Sequence, residues 1–303
     1  MSNLTPPTAR RVLGNSDIEV SSLAWGHWRL SSSDDAANAR LAHAALDAGI
    51  DFFDTADIYG FDGTAGFGAA EEAFGRVLAA EPALRGRIVI ASKGGIIPGV
   101  PYDSSNAYLT AAIDASLARL KVDTIDLWQV HRPDVLANPS EIVEAVETAH
   151  AAGKIRAFGV SNFTVAQIDS LAGCGPDVPF VSSQPELSAL RLDPFVNGES
   201  DQAIDLDLAL LAWSPLAGGQ VVAPTEPRAV AVAAALDAVA DDQGVSRSAA
   251  ALSWIMAHPA RPIPIIGSQN PARIAESVDA LKVRWTRAQW YAVLVASRQE
   301  PLP

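Results

Sequence analysis

Short apolar runs rich in Val, Ile, Leu and Phe alternate along this chain with longer stretches in which apolar residues recur every three or four positions. The first pattern is that of a strand buried on both faces, the second that of an amphipathic helix. Read this way, strands fall over 22–26, 52–55, 88–93, 125–131, 157–161, 180–184, 208–213 and 263–267. Helices fall between and after them over 35–48, 69–80, 106–120, 139–152, 165–171, 228–243, 247–258 and 271–281, with a weaker one near 200–205. A further helix spans 285–297, and residues 11–20, turning at Gly14-Asn15-Ser16-Asp17, form a hairpin ahead of the first strand.

Local signals support these boundaries. Asn138-Pro139-Ser140-Glu141 combines a capping residue, a proline at the first helical position and a glutamate at the third. Thr164-Val165-Ala166-Gln167 is a second capping box, and Asn270-Pro271 opens a helix with the same cap-then-proline pair. Eight strands each followed by helical sequence predict an α/β fold, a (β/α)8 TIM barrel, with a doubly wound open sheet as the alternative. The glycine fingerprint of a Rossmann domain is missing after the first strand. No linker or repeat divides the chain, so residues 1–303 read as one barrel domain.

Barrel chemistry gathers where strands end, and side chains alternate between interior and helix layer. In the run Ile88 to Lys93, the residues Val89, Ala91 and Lys93 share one face; in Ile125 to His131, Leu127, Gln129 and His131 do, leaving Trp128 for the helix layer. Phe52 and Asp54 share a face in the same way. Three strands therefore end in Asp54, Lys93 and His131, with Tyr59 just beyond the first and Asp57 between them as a polar loop residue. A lysine ending an apolar strand needs a carboxylate partner, and Asp54 is at hand. The ammonium would favour the phenolate of Tyr59 and lower a pKa that is otherwise about 10. His131 would orient a carbonyl oxygen. The set suits proton donation to an oxygen while something else moves a hydride.

Composition narrows the picture. Lys and Arg number 22 against 35 Asp and Glu, a net charge of −13, which would repel nucleic acid and anionic membrane. The lysines are Lys93, Lys121, Lys154 and Lys282, and of these only Lys93 ends an apolar strand. No apolar run approaches the ~20 residues of a membrane span, and the N-terminal residues lack the apolar core of a secretory signal. The single cysteine, Cys174, fits a reducing cytoplasm.

The segments DTADIYG, IASKGG, LWQVHRPD, GKIRAFGVSNF, LAWSPLAGG and IIGSQNPARIAES, in this order, resemble the aldo-keto reductase family over about residues 12–290. GHWRL and FVNGESDQ resemble its branch of YdhF-like bacterial oxidoreductases. The resemblance implies a catalytic tetrad of Asp54, Tyr59, Lys93 and His131, with Tyr59 the acid in reduction of an aldehyde or ketone. It implies NADPH stretched across the barrel mouth. Ser161, Asn162 and Gln184 match positions that hold the nicotinamide carboxamide, Trp213 the aromatic stacked on the nicotinamide, and Ser214, Pro215, Leu216, Gly218 and Gly219 the pyrophosphate segment. Gly26 matches a position beside the cofactor, Ser268 and Arg273 match positions that hold the 2′-phosphate, and Glu276 matches one near the adenine. Arg273 in the first turn of a helix opposes the helix dipole unless an anion shares the free N–H groups there. Two positions depart from the family pattern: Gly267 stands where many relatives carry a lysine, and Ser277 where many carry an asparagine, which leaves NADH open as a second cofactor. Trp28, and with it His27, is expected to line the substrate pocket.

Two other classes compete with a carbonyl reductase. A nucleotide-binding sensor would keep the cofactor groove and need no complete tetrad. A metal-dependent barrel hydrolase would want paired histidines at strand ends, and only His131 ends a strand.

Overall fold

The computed structural model describes residues 3–30, 33–64 and 66–302. Among these, a two-stranded antiparallel hairpin, β1 (Arg10–Val12) and β2 (Glu19–Ser21), precedes eight parallel strands closed into a barrel. The barrel strands are β3 (Ala24–Gly26), β4 (Phe52–Asp54), β5 (Val89–Gly94), β6 (Ile125–Val130), β7 (Ile155–Ser161), β8 (Phe180–Gln184), β9 (Ala209–Ala212) and β10 (Ile263–Ile266), with β10 pairing back onto β3. Helices cover the outside: α1 (Asp35–Asp47), α2 (Ala69–Ala80), α3 (Asn106–Leu120), α4 (Pro139–Ala151), α5 (Val165–Gly173), α6 (Asp193–Val196), α7 (Glu199–Asp205), α8 (Pro227–Gln243), α9 (Arg247–Met256), α10 (Pro271–Ser277) and α11 (Arg287–Arg298). The expected open-sheet alternative is thereby excluded. None of the described helices is long and apolar enough to cross a membrane.

Two layers of core follow from strand alternation. Ala24, Phe52, Ala91, Leu127, Ala157, Val181, Ala209, Leu211, Ile263 and Ile265 fill the barrel, and Leu13, Ile18 and Val20 of the hairpin close its lower end. The other strand face, with Trp25, Phe53, Ile90, Trp128 and Phe158, packs against the helices. Burying a side chain of this size contributes roughly 1.5–3 kcal/mol, so a strand slipped by one residue would lose most of both layers. That requirement holds the polar strand-end residues in register at the mouth.

The caps read from the sequence are present. Asn138 and Asn270 accept from N–H groups of the first turn, and Thr164 with Gln167 forms a reciprocal capping box. α10 stops at Ser277 and continues as a 3₁₀ turn, Val278–Leu281, so the expected single helix over 271–281 tightens near its end.

Candidate active site

Lys93 is fully buried and Asp54 nearly so. The Lys93 ammonium donates to Asp54 Oδ2 at 2.7 Å and to the carbonyl of Thr55 at 2.8 Å. Burial alone would push its proton off, but the Asp54 carboxylate paired with it outweighs that and holds its pKa above the ordinary lysine value. The other oxygen of Asp54 accepts from Gln184 Nε2 at 3.0 Å. Both carboxylate oxygens are thus satisfied in a place where an unpaired charge would be costly.

Tyr59 is brought over Lys93 by the loop after β4, with Nζ 4.9 Å from the ring centroid. The loop is tied down at both ends: the Asp57 N–H donates to the Lys93 carbonyl, and the Tyr59 carbonyl accepts from the Ala70 N–H at the start of α2. The expected lowering of the Tyr59 pKa is not what results. Desolvation of the hydroxyl raises it, Lys93 and Arg132 pull it back, and the net direction is upward. Tyr59 is therefore a protonated phenol at neutral pH.

His131 lies at the mouth just past the end of β6. Its ring meets that of Tyr59 edge-on with centroids 5.7 Å apart. Burial, then the charges of Lys93 and Arg132, hold its pKa well below the usual histidine value. It is a neutral imidazole, with one N–H and one lone pair, and its Nδ1 has no partner among the described residues.

Next to the tetrad lies a connected polar group. Asn162 takes a left-handed backbone, φ 61°. Its Nδ2 donates to Ser161 Oγ at 2.8 Å and to the His131 carbonyl at 3.3 Å, and its Oδ1 accepts from Trp213 Nε1 at 2.9 Å. Ser161 Oγ donates to the Gln184 carbonyl at 2.9 Å. Ser161, Asn162, Gln184 and Trp213, read from three separate segments, are thus one network bonded to the tetrad through Asp54 and His131. Beyond Trp213, Ser214 (φ 52°) begins a tight turn through Pro215 and Leu216. Its Oγ accepts from the Gly218 N–H, and Gly218 and Gly219 both take positive φ with open space where a side chain would stand.

The seam between β3 and β10 is close-packed. A Cβ on Gly26 would lie 2.9 Å from the Ile265 side chain. One on Gly267 would lie 2.8 Å from Trp28 Nε1, so the missing side chain there leaves room for the Trp28 indole. Trp28 is half exposed on the rim with Arg29 stacked over it at 4.3 Å. Trp25 Nε1 donates to the Ser268 carbonyl at 3.1 Å and fixes that segment to the first barrel strand. Arg273 is exposed, and Glu276 is half-buried one turn on. The N–H groups expected to be free for an anion at the start of α10 are not: Asn270 Oδ1 accepts from those of Ala272 and Arg273. Ser277 donates inward to the Ile274 carbonyl, which removes it from any surface role.

Two expectations are corrected. His27 does not face the mouth. It is fully buried in the helix layer, with ring centroids 4.5 Å from Trp25, 4.5 Å from Phe74 and 5.5 Å from Phe53. Burial and then Lys93 lower its pKa to about 3. Asp57 is no solvated loop residue: it is buried, and desolvation followed by the neighbouring Glu71 raises its pKa well above the usual carboxylate value. Glu71 itself accepts from Ser92 and Arg119. Arg132, at the mouth beside Tyr59 and His131, was also missed; a cation following a strand-end histidine in so acidic a chain was the available signal. Among the described residues no three His, Cys, Asp or Glu side chains are grouped so as to hold a metal ion.

The aldo/keto reductase family profile matches residues 22–294, and with them every strand of the barrel. The chain belongs to the aldo/keto reductase family. It is 60% identical over 305 residues, all of both chains, to a 6-dehydroglucose reductase of Novosphingobium aromaticivorans. It is 32% identical to the oxidoreductase YdhF of Escherichia coli, over 94% of this chain and 96% of that one. A glycerol dehydrogenase from Gluconobacter oxydans superposes with a TM-score of 0.80 at 25% identity, covering 97% of this chain and 98% of the other. The barrel is thus that of an oxidoreductase family acting on carbonyl and alcohol groups.

Proposed function

We propose that this aldo/keto reductase reduces an aldehyde to an alcohol with NADPH, with Tyr59 as proton donor, and that its substrate is a sugar aldehyde of the 6-dehydroglucose kind. The observation that carries the reading is the buried Lys93–Asp54 pair beneath a protonated Tyr59 and a neutral His131. The substrate class follows from the 60% identical 6-dehydroglucose reductase.

The nicotinamide, when bound, supplies the hydride. The residues do the rest. Trp213 presents an aromatic face, and Asn162, Ser161 and Gln184 offer amide and hydroxyl groups to a carboxamide. Open space at Gly218 and Gly219 lets the backbone approach the pyrophosphate beside Ser214, Pro215 and Leu216. Ser268 and the exposed guanidinium of Arg273 take the 2′-phosphate, with Glu276 near the adenine and Gly26 and Gly267 in the backbone of the groove. His131 donates a hydrogen bond to the substrate carbonyl and aligns it. Tyr59 passes its proton to that oxygen as charge develops there, and Lys93, kept charged by Asp54, stabilises the phenolate that remains. The single cysteine, Cys174, is exposed, in keeping with a reducing cytoplasm.

The test is steady-state turnover with 6-dehydroglucose, other aldoses oxidised at the terminal carbon, and simple aldehydes, each with NADPH and with NADH. Consumption of NADPH with 6-dehydroglucose at the highest kcat/KM of the panel is expected. Nucleotide binding without turnover on any carbonyl would refute it.

A further inference from the structure

Arg132 follows His131 on the loop leaving β6, and its guanidinium carbon stands 5.8 Å from the centroid of the Trp213 ring. It is half-buried. Other partly buried arginines of this chain end on oxygen acceptors of the protein itself: Arg85, Arg119 and Arg247 on the carboxylates of Asp126, Glu71 and Asp237, Arg228 on the carbonyls of Ser297 and Leu190, and Arg11 on that of Arg261. The guanidinium of Arg132 makes no hydrogen bond or ion pair with any described residue. Asp134, the acid nearest in sequence, is committed elsewhere, its two oxygens accepting from the N–H groups of Ser104 at 3.0 Å and Leu136 at 2.9 Å. In a chain with 35 acids to 22 Lys and Arg, a half-buried cation left without a counter-ion is conspicuous. Its charge also acts on the reacting groups, Tyr59 and His131. A guanidinium has five N–H donors in a rigid planar fork and no acceptor, so a partly desolvated one is completed only by oxygen acceptors.

We infer that Arg132 is a specificity-determining residue whose fork donates to hydroxyl oxygens on the carbons beside the substrate carbonyl, so that hydroxylated aldehydes are preferred over hydrocarbon ones. Neutral hydroxyls are the acceptors that a sugar aldehyde of the 6-dehydroglucose kind offers beside its carbonyl, and a guanidinium fork donates to them without needing an anion. The inference rests on carbonyl reduction at Tyr59.

Glyceraldehyde and propanal share a carbon skeleton and differ in two hydroxyls, and succinic semialdehyde adds a carboxylate. The readout is the ratio of kcat/KM for glyceraldehyde to that for propanal, in which any shared effect on Tyr59 cancels. Arg132→Met should lower the ratio by ~10-fold or more, the worth of a hydrogen bond to a charged group. Arg132→Lys, which keeps the charge and loses the fork, should lower it less, and NADPH binding followed by tryptophan fluorescence should stay within about twofold of wild type. An unchanged ratio in both variants, a loss confined to succinic semialdehyde, or a loss explained by weaker NADPH binding would overturn the assignment of Arg132 alone. Wild-type protein that reduces no aldehyde would overturn carbonyl reduction itself, and this inference with it.

Discussion

At the scale of single residues, the site is a set of ionisation states imposed by position. Lys93 stays charged because Asp54 pairs with it, His131 is neutral because it is buried beside two cations, and Tyr59 keeps its proton because desolvation outweighs the ammonium nearby. Removing one member of a buried pair strands the other. Lys93→Met should therefore lower the unfolding free energy by about 3 kcal/mol as well as abolish reduction; activity lost with wild-type stability would show that the pair is not buried as described. His27 gives a pH prediction. Its pKa is about 3 in the fold and about 6.5 when unfolded, so between those values the unfolded chain binds the extra proton. This residue's contribution is fully present above pH ~6.5 and falls as pH drops toward 3, by up to ~1.4 kcal/mol per pH unit. Urea unfolding at pH 7 and pH 5 should show a smaller loss in His27→Phe than in wild type, and equal losses would contradict the burial of a neutral ring. Neither His27 nor Asp57 was legible in the sequence. What packs against them is α2, which supplies Glu71 to Asp57 and Phe74 to His27 from 14 and 47 residues away. Asp54, Lys93 and His131 were legible because alternation along an apolar strand decides which way its last residue points.

At the scale of elements, the strands were readable because each is an apolar run and the barrel buries both faces. Their ends moved by a residue or two where the backbone leaves the ladder: β6 ends at Val130, so His131 belongs to the loop although it continues the inward face. Glycines at the seams were harder to read, because what each avoids lies on another element. Gly94 illustrates this. A Cβ there would lie 2.7 Å from Trp128 and 3.1 Å from Asp57 Oδ2, wedging β5 away from the loop that carries Tyr59. Gly94→Ala should destabilise the protein by roughly 1–3 kcal/mol and lower kcat by displacing Tyr59. An unchanged denaturation midpoint together with unchanged kcat would show that the loop is not packed against this strand.

At the scale of the whole molecule, an acidic protein is proposed to bind a polyanionic nucleotide, and the cations that would do so must be local. Arg273 is exposed and forms no ion pair among the described residues, and Gly267, the departure noted from the family pattern, leaves its side-chain position to the Trp28 indole. Arg273→Ala should raise KM for NADPH by ~10-fold, about what one charge-assisted contact contributes, while KM for NADH changes little. Equal increases would show that Arg273 does not distinguish the 2′-phosphate. The global charge was plain from composition, whereas the pairing of individual charges was not, since ion pairs such as Arg119 with Glu71 join residues 48 positions apart.

The central claim is that Tyr59 supplies the proton while the rest of the site binds and aligns. The most direct measurement is single-turnover oxidation of bound NADPH, followed by absorbance after mixing with saturating aldehyde, in wild type and Tyr59→Phe. The phenol's removal should slow the chemical step by at least ~100-fold, with quenching of tryptophan fluorescence by NADPH retained. Turnover in Tyr59→Phe at the wild-type rate would contradict it.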